Sequence, residues 1–437
     1  MRRLLRIRVR SLVVLGLATV LLLGVGGVLG LRAPAPAAVT GEVVPRGDRL
    51  AVTIDRAQEQ LRRVPGDHRS WAALGLAYLE KSRITADPSW FGKAEGALRR
   101  SLAVRPDGND PALAGLGALA NARHDFAGAA RHARQALRVN PYSAEAYAVL
   151  ADAETQLGRA VAATEAVQRL LDLRPGLTAL TRAAYDREQR GRISEATALL
   201  RQALDTALDP ADVAFCRYHL GELAWNAGDL AGAEREYAAG TAADPGYLPL
   251  LQGRAKVAAA RGRFDQAVAG YADLIARSPT PGYLLEYADL LDAAGRSAEA
   301  DAQRELAHAA HQLFTANGGT DALAGAALAL ARSRPAEALT LARREWQRRQ
   351  FAEVADLLGW ALHANGRHAE ALGYARRAES LGARNARYAY HLGMIELALG
   401  DRAAARRDLG RALDVNPYFS TLDAPAAARA LAGLGSA

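Results

Sequence analysis

Residues 220–245 read LGELAWNAGDLAGAEREYAAGTAADP, and the order of small, turn and aromatic residues in this stretch decides the fold. Gly221 stands twelve positions before a second small residue, Ala233, and Gly228 lies between them. A small side chain on each of two antiparallel helices lets their backbones approach, and glycine supplies the positive φ needed to reverse direction. Pro245 then stops the second helix.

The same unit recurs along most of the chain. Ala94, Ala129, Ala163, Ala196, Ala233, Ala267, Ala300, Ala338, Ala371 and Ala405 follow one another at intervals of 33 to 38 residues. Twelve positions before nine of them stands a small partner, from Gly117 and Ala151 to Gly359 and Gly393. In the first unit the partner is Gly75, nineteen positions ahead of Ala94, which implies a loop insertion around Ile84 to Trp90. Turn glycines fall at 158, 191, 228, 262, 295, 366 and 400, and helix-ending prolines at 106, 141, 175, 210, 245, 279 and 417. In an Ala-rich chain one such match means little, but three independent columns in phase specify an all-α array.

The pattern resembles the tetratricopeptide repeat (TPR) family. Trp71-x-x-Leu74-Gly75-x-x-Tyr78 with Ala94 and Pro106, and Leu392-Gly393 with Ala405, Ala412 and Pro417, are clear instances beside the opening stretch. The resemblance implies an α-α superhelix of about ten helix-turn-helix repeats. Repeats 1–7 are expected over 55–312 and repeats 8–10 over 322–420. Arg304 stands where the second helix usually carries an aromatic, and 313–321 (containing FTANGGTD) is expected as a degenerate joint between two stacks. Residues 421–437 read as a capping helix over the last repeat.

Composition bounds the rest. Of the 437 residues, 55 are basic and 47 acidic, a net charge of +8. Six arginines fall within the first 32 positions with no Asp or Glu among them, leaving 49 basic and 47 acidic residues beyond Arg32. The repeat region is therefore nearly neutral and offers no electrostatic footprint for nucleic acid. A single cysteine, Cys216, excludes a disulfide framework and a cysteine zinc site. The preference for Arg over Lys, together with abundant Ala and Gly, reads as a GC-rich bacterial coding bias.

The N-terminal segment sets the expected location. Residues 1–10 are basic, and 11–31 run without a charge, long enough at about 1.5 Å per residue to cross a bilayer. The basic flank keeps the N-terminus cytoplasmic, so the repeats are expected outside the cytoplasm at a bacterial cell membrane. The segment is a transmembrane anchor, or a signal peptide if cleavage occurs at Ala35-Pro36-Ala37. Gly26-x-x-x-Gly30 offers a helix-dimerisation face, and residues 32–54, with Pro34, Pro36 and Pro45, read as a linker.

No catalytic constellation is present: there is no Gly-x-Ser-x-Gly, no His-Glu-x-x-His and no phosphate loop. No enzyme activity, cofactor or metal is expected; the weak metal candidate is Glu305, His308 and His311 on one helix. In TPR superhelices the first helix of each repeat lines the concave face. By that resemblance Tyr185, Phe215, Tyr218, His219, Glu222, Trp225 and Asn226 face inward as a partner-binding groove, with a second cluster at Trp360, Tyr390 and His391. An acidic strip is expected at Glu286, Asp289 and Asp292. The Lys, Asn and Arg clamp of chaperone-binding members is absent, its places holding Ala72, Ala114 and Ala148 among others. The expected function is a membrane-tethered, non-catalytic scaffold for an unidentified protein partner. The alternatives are a self-associating envelope assembly factor and a ligand- or metal-binding accessory of an exported enzyme or transporter.

Overall fold

A computed structural model of the chain describes residues 46–435. The basic segment, the expected membrane span or signal site, and most of the expected linker lie outside these residues. So does the Gly26–Gly30 motif. Among the described residues no helix is long and apolar enough to cross a membrane.

The described chain is entirely helical, with no strand. An N-terminal helix α1 (Arg46–Arg63) precedes ten antiparallel pairs, from α2 (His68–Thr85) with α3 (Trp90–Val104) to α20 (Ala386–Ala398) with α21 (Arg402–Val415), and α22 (Asp423–Gly433) covers the last pair. Two readings change. The linker expected over 32–54 already becomes helix at Arg46. The insertion near Ile84 lengthens α2 to 18 residues and leaves only a short link to Trp90, because the apolar run through Leu79 has a surface to bury.

Each pair closes as the small-residue columns require. The ten second-helix alanines are all buried, none more than 3% exposed. A Cβ at Gly221 or Gly253 would come within 2.3 or 2.5 Å of the Tyr237 ring, so both glycines are needed for that ring to lie between α10 (Pro210–Asn226) and α12 (Pro249–Ala260). All seven predicted turn glycines have positive φ, from +69° at Gly191 to +85° at Gly400. The three turns without glycine place Ala86, His124 and Ser333 in the same left-handed conformation. Pro210 differs from expectation: it opens α10 at a first-turn position, where its missing N–H costs nothing.

The superhelix closes on itself. The turns inside repeats 2, 3, 4 and 5 meet the loops that follow repeats 7, 8, 9 and 10, each contact advancing by one repeat. Thr320 N donates to Arg123 O at 2.8 Å, and Arg348 Nη2 to His124 O at 3.0 Å. Arg349 Nη1 donates to Gln156 Oε1 at 2.6 Å. A Cβ on Gly158 would lie 2.3 Å from Gln350 O, and one on Gly191 would lie 2.2 Å from Gly382 O. Asn416 Nδ2 donates to Trp225 O at 2.8 Å. The residues expected as a joint, 313–321, take part in this seam. α15 (Ser297–Ala316) runs through Phe314, whose ring packs 6.2 Å from Phe91 and 5.2 Å from His124. Asp321 caps α16 (Ala322–Ala331) through Ala324 N at 2.8 Å and faces His124 Nδ1 at 3.3 Å. Arg304 is 5% exposed and donates to Asp292 and Asp301, so an ion-paired cation stands where the aromatic is missing.

A candidate binding cavity lined from both sides of the seam

Because the seam brings repeats 8–10 over repeats 4–7, the first helices face a partly open cavity. A cavity of about 390 Å³ is bordered by α8 (Leu177–Gln189), α10, α12 and α14 (Pro281–Ala293) on one side. On the other side stand the starts of α18 (Ala352–Ala364) and α20 and the loop after α21. A wider cavity of about 840 Å³ shares Gln252 and Glu286 with it and is mostly apolar, including Leu79, Ile84, Phe91, Leu313 and Phe314.

Of the residues expected to face inward, Tyr185, Tyr218, His219, Glu222, Trp225 and Asn226 border the smaller cavity. Phe215 lies behind them, packed edge-on to His219 at 4.5 Å. The C-terminal cluster borders neither cavity: Trp360 stacks on His391 at 4.1 Å, and His391 Nδ1 lies 2.8 Å from Asp356 Oδ1, so these aromatics with Tyr390 form core between α18 and α20. The helix period places them one face away from the lumen. Glu305, His308 and His311 go to separate partners, Arg332, Gln312 and the Asp321 carbonyl, and no group of three or more His, Cys, Asp or Glu suited to a metal occurs among the described residues. Cys216 is fully buried, and burial pushes its thiol up to about 12, which suits packing and not nucleophilic chemistry. Two members of the acidic strip are partnered, Asp292 with Arg304 and Glu286 with Gln252 and Tyr271, while Asp289 keeps a buried oxygen without a hydrogen bond among the described residues.

Polar groups in the wall form two chains. Tyr237 Oη donates to Glu222 Oε1, and Lys256 Nζ lies 2.8 Å from both Glu222 oxygens. Tyr218 Oη donates to Gln252 Oε1 at 3.3 Å, while Gln252 Nε2 and Tyr271 Oη donate to Glu286 Oε2 at 2.6 and 2.9 Å. Lys256, Glu353, Arg384, Arg387 and Tyr388 also border the space, and sequence reasoning missed all five. Lys256 was legible, being on a first helix next in phase to Glu222. The other four reach the cavity only across the seam, for which the repeat pattern carries no signal.

Glu188 stands apart. Asn226 Nδ2 donates to its Oε1 at 3.2 Å, and no basic side chain lies within ion-pair distance of it among the described residues. Burial raises its pKa to about 7, opposed by the Asn226 hydrogen bond and reinforced by the nearby Glu222. Burial lowers His219 to about 4, so its imidazole is neutral at physiological pH. A carboxyl raised in the fold favours the native state fully below its unfolded pKa of about 4.3, and that contribution is lost as pH rises through about 7. Glu188→Gln is therefore expected to match the parent at pH 4–5 and exceed it by about 2 kcal/mol at pH 8, checked by urea unfolding at both pH values.

Sequence models of the tetratricopeptide repeat match residues 112–178 and 386–419, where the structure has repeats 2–3 and the tenth repeat. Both stretches are tetratricopeptide repeats. Such repeats suggest a protein-interaction scaffold. Among solved structures, a human IFIT1 dimer with PPP-AAAA is 16% identical over 76% of this chain and 78% of its own, with a TM-score of 0.46. The Cut9–Hcn1 hetero-tetramer of the APC/C gives 16% identity, 90% and 97% coverage and a TM-score of 0.34. A TPR protein from Parabacteroides merdae gives 16%, 59% and 98%, and 0.35. No curated protein matches the chain.

Proposed function

We propose that this TPR chain is a non-catalytic scaffold that holds a segment of a protein partner inside its closed superhelix. The further proposal is that residues 11–31 tether it to a bacterial membrane with the repeats outside the cytoplasm. The observation that carries the binding reading is the wall itself. First helices of repeats 4–6 converge Tyr185, Trp225, Asn226 and Lys256 on one cavity whose other side is supplied across the seam. Rigid aromatics beside hydrogen-bonding groups are what binding hot spots use. The wider apolar cavity takes the apolar side chains of the same segment. The tether rests on the uncharged run of 11–31 behind five arginines.

The test fills the cavity without removing any core group. Ala383 lies in the loop before α20 and borders the cavity. Full-length protein and its Ala383→Trp variant, extracted from native membranes in detergent, are compared for co-purified partners. At least a tenfold loss of one partner in the variant, with unchanged circular dichroism, is the expected result. Equal recovery of every partner by both proteins contradicts binding in the cavity.

A further inference from the structure

Proteins seldom line a cavity with a carboxylate that has no counter-charge, because desolvating an unpaired charge is costly unless something neutralises it. Glu188 is part-buried on the cavity wall and has no basic partner within ion-pair distance among the described residues. Tyr185 and Glu188 are three residues apart on α8 and so share a face, and Asn226 on the neighbouring α10 fixes the Glu188 carboxylate by hydrogen bond. Most other charges of the wall are engaged or lie at its margin, Arg387 at the start of α20 being the cation without an ion pair among the described residues. Lys256 is held by Glu222, Glu286 accepts from Gln252 and Tyr271, and Arg384 is exposed at the rim. The wall also shows that it accommodates a cation on an aromatic face: Lys256 Nζ lies 5.3 Å from the Trp225 ring centre.

We propose that the segment bound in this cavity presents a lysine or arginine side chain whose cationic head is seated against Glu188, between α8 and α10. This rests on the reading that the cavity binds a protein segment and adds the chemistry of the residue it selects. The aliphatic stem of such a side chain lies along Tyr185 while the head pairs with the carboxylate that nothing else neutralises. The raised pKa of Glu188 agrees, since a carboxyl near half protonation at pH 7 is ionised when a cation arrives. An acidic segment, drawn to Lys256 and Arg387, is the opposing prediction.

The probe is a positional-scanning hexapeptide library, N-acetylated and C-amidated so that only side chains carry charge. It is passed over the immobilised full-length protein in detergent, and retained peptide is quantified by mass spectrometry. The expected result is at least tenfold greater retention of pools with Lys or Arg fixed at one position than of pools with norleucine or Glu there. Glu188→Gln abolishes that preference. Retention that favours Glu, or that is indifferent to charge, overturns the cation proposal and leaves segment binding standing. Failure of every pool to be retained overturns segment binding itself. Should Glu188→Gln not fold, calorimetry of the unmutated protein with its best-retained basic peptide at pH 7, in two buffers of different ionisation enthalpy, decides the matter. Proton release on binding supports the assignment, and none contradicts it.

Discussion

Arg349→Ala is expected to destabilise the protein by about 3 kcal/mol and to split its unfolding into two steps. Arg349 is 5% exposed at the centre of the seam. It pairs with Glu345 beside it, donates to Gln156 of repeat 3 at 2.6 Å, and lies 5.1 Å from the centre of the Phe126 ring of repeat 2. Removing the guanidinium leaves fully buried Glu345 with Arg348 alone, and Gln156 without its partner across the seam. In an open solenoid each repeat touches only its neighbours, so stability is local. Here the seam ties repeats 2–5 to repeats 7–10, and unfolding is expected to be more cooperative than in an open array of this length. Chemical unfolding followed by Trp fluorescence and by circular dichroism tests both parts. Coincident transitions in the parent and separated ones in Arg349→Ala are expected. Arg334→Ala, which breaks an exposed pair with Glu337, serves as the comparison and is expected to cost less than about 1 kcal/mol.

The second large effect is expected at Tyr237, which is fully buried on α11 (Leu230–Ala243). Its ring occupies the space that Gly221 and Gly253 leave open, and its hydroxyl donates to Glu222, whose other partner is Lys256 of the cavity wall. Tyr237→Ala empties that slot and is expected to cost about 3–5 kcal/mol. Tyr237→Phe keeps the ring and removes only the donor, for about 1–2 kcal/mol. Equilibrium unfolding of both variants separates packing from hydrogen bonding. A Tyr237→Phe loss as large as that of Tyr237→Ala would show that the hydroxyl network, and not the ring, organises this part of the wall.

What the sequence made legible follows from which interactions are local. The buried alanine column, the positive-φ glycines and the capping helix are each dictated within one repeat or between neighbours, and each reads directly from a 34-residue period. Ala86, His124 and Ser333 show the limit of that reading: the turn geometry is set by the helix pair, so a residue other than glycine accepts the left-handed conformation where the pair demands it. Six inward residues between Tyr185 and Asn226 reach the cavity because first-helix phase is local too. Trp360, Tyr390 and His391 do not, since a ring on a first helix serves core or lumen according to a rotation of one position. The seam was invisible because it joins loops about 190 residues apart through backbone carbonyls and close glycine contacts, which leave no periodic mark. The segment at 313–321 looked degenerate as a repeat because its residues serve that contact.

The closed superhelix is the claim on which the two-sided cavity depends, and a cross-link tests it most directly. Thr320 N and Arg123 O are 2.8 Å apart, which brings the two residues within the Cα separation of about 4.4–6.8 Å that a disulfide spans. Arg123→Cys with Thr320→Cys, in a chain whose only other cysteine is the buried Cys216, is oxidised in dilute detergent solution and examined by non-reducing electrophoresis and peptide mapping. The predicted result is a near-complete bond between positions 123 and 320 within single chains. A folded double variant that forms no such bond, or only bonds between chains, would contradict the closure and with it the cavity.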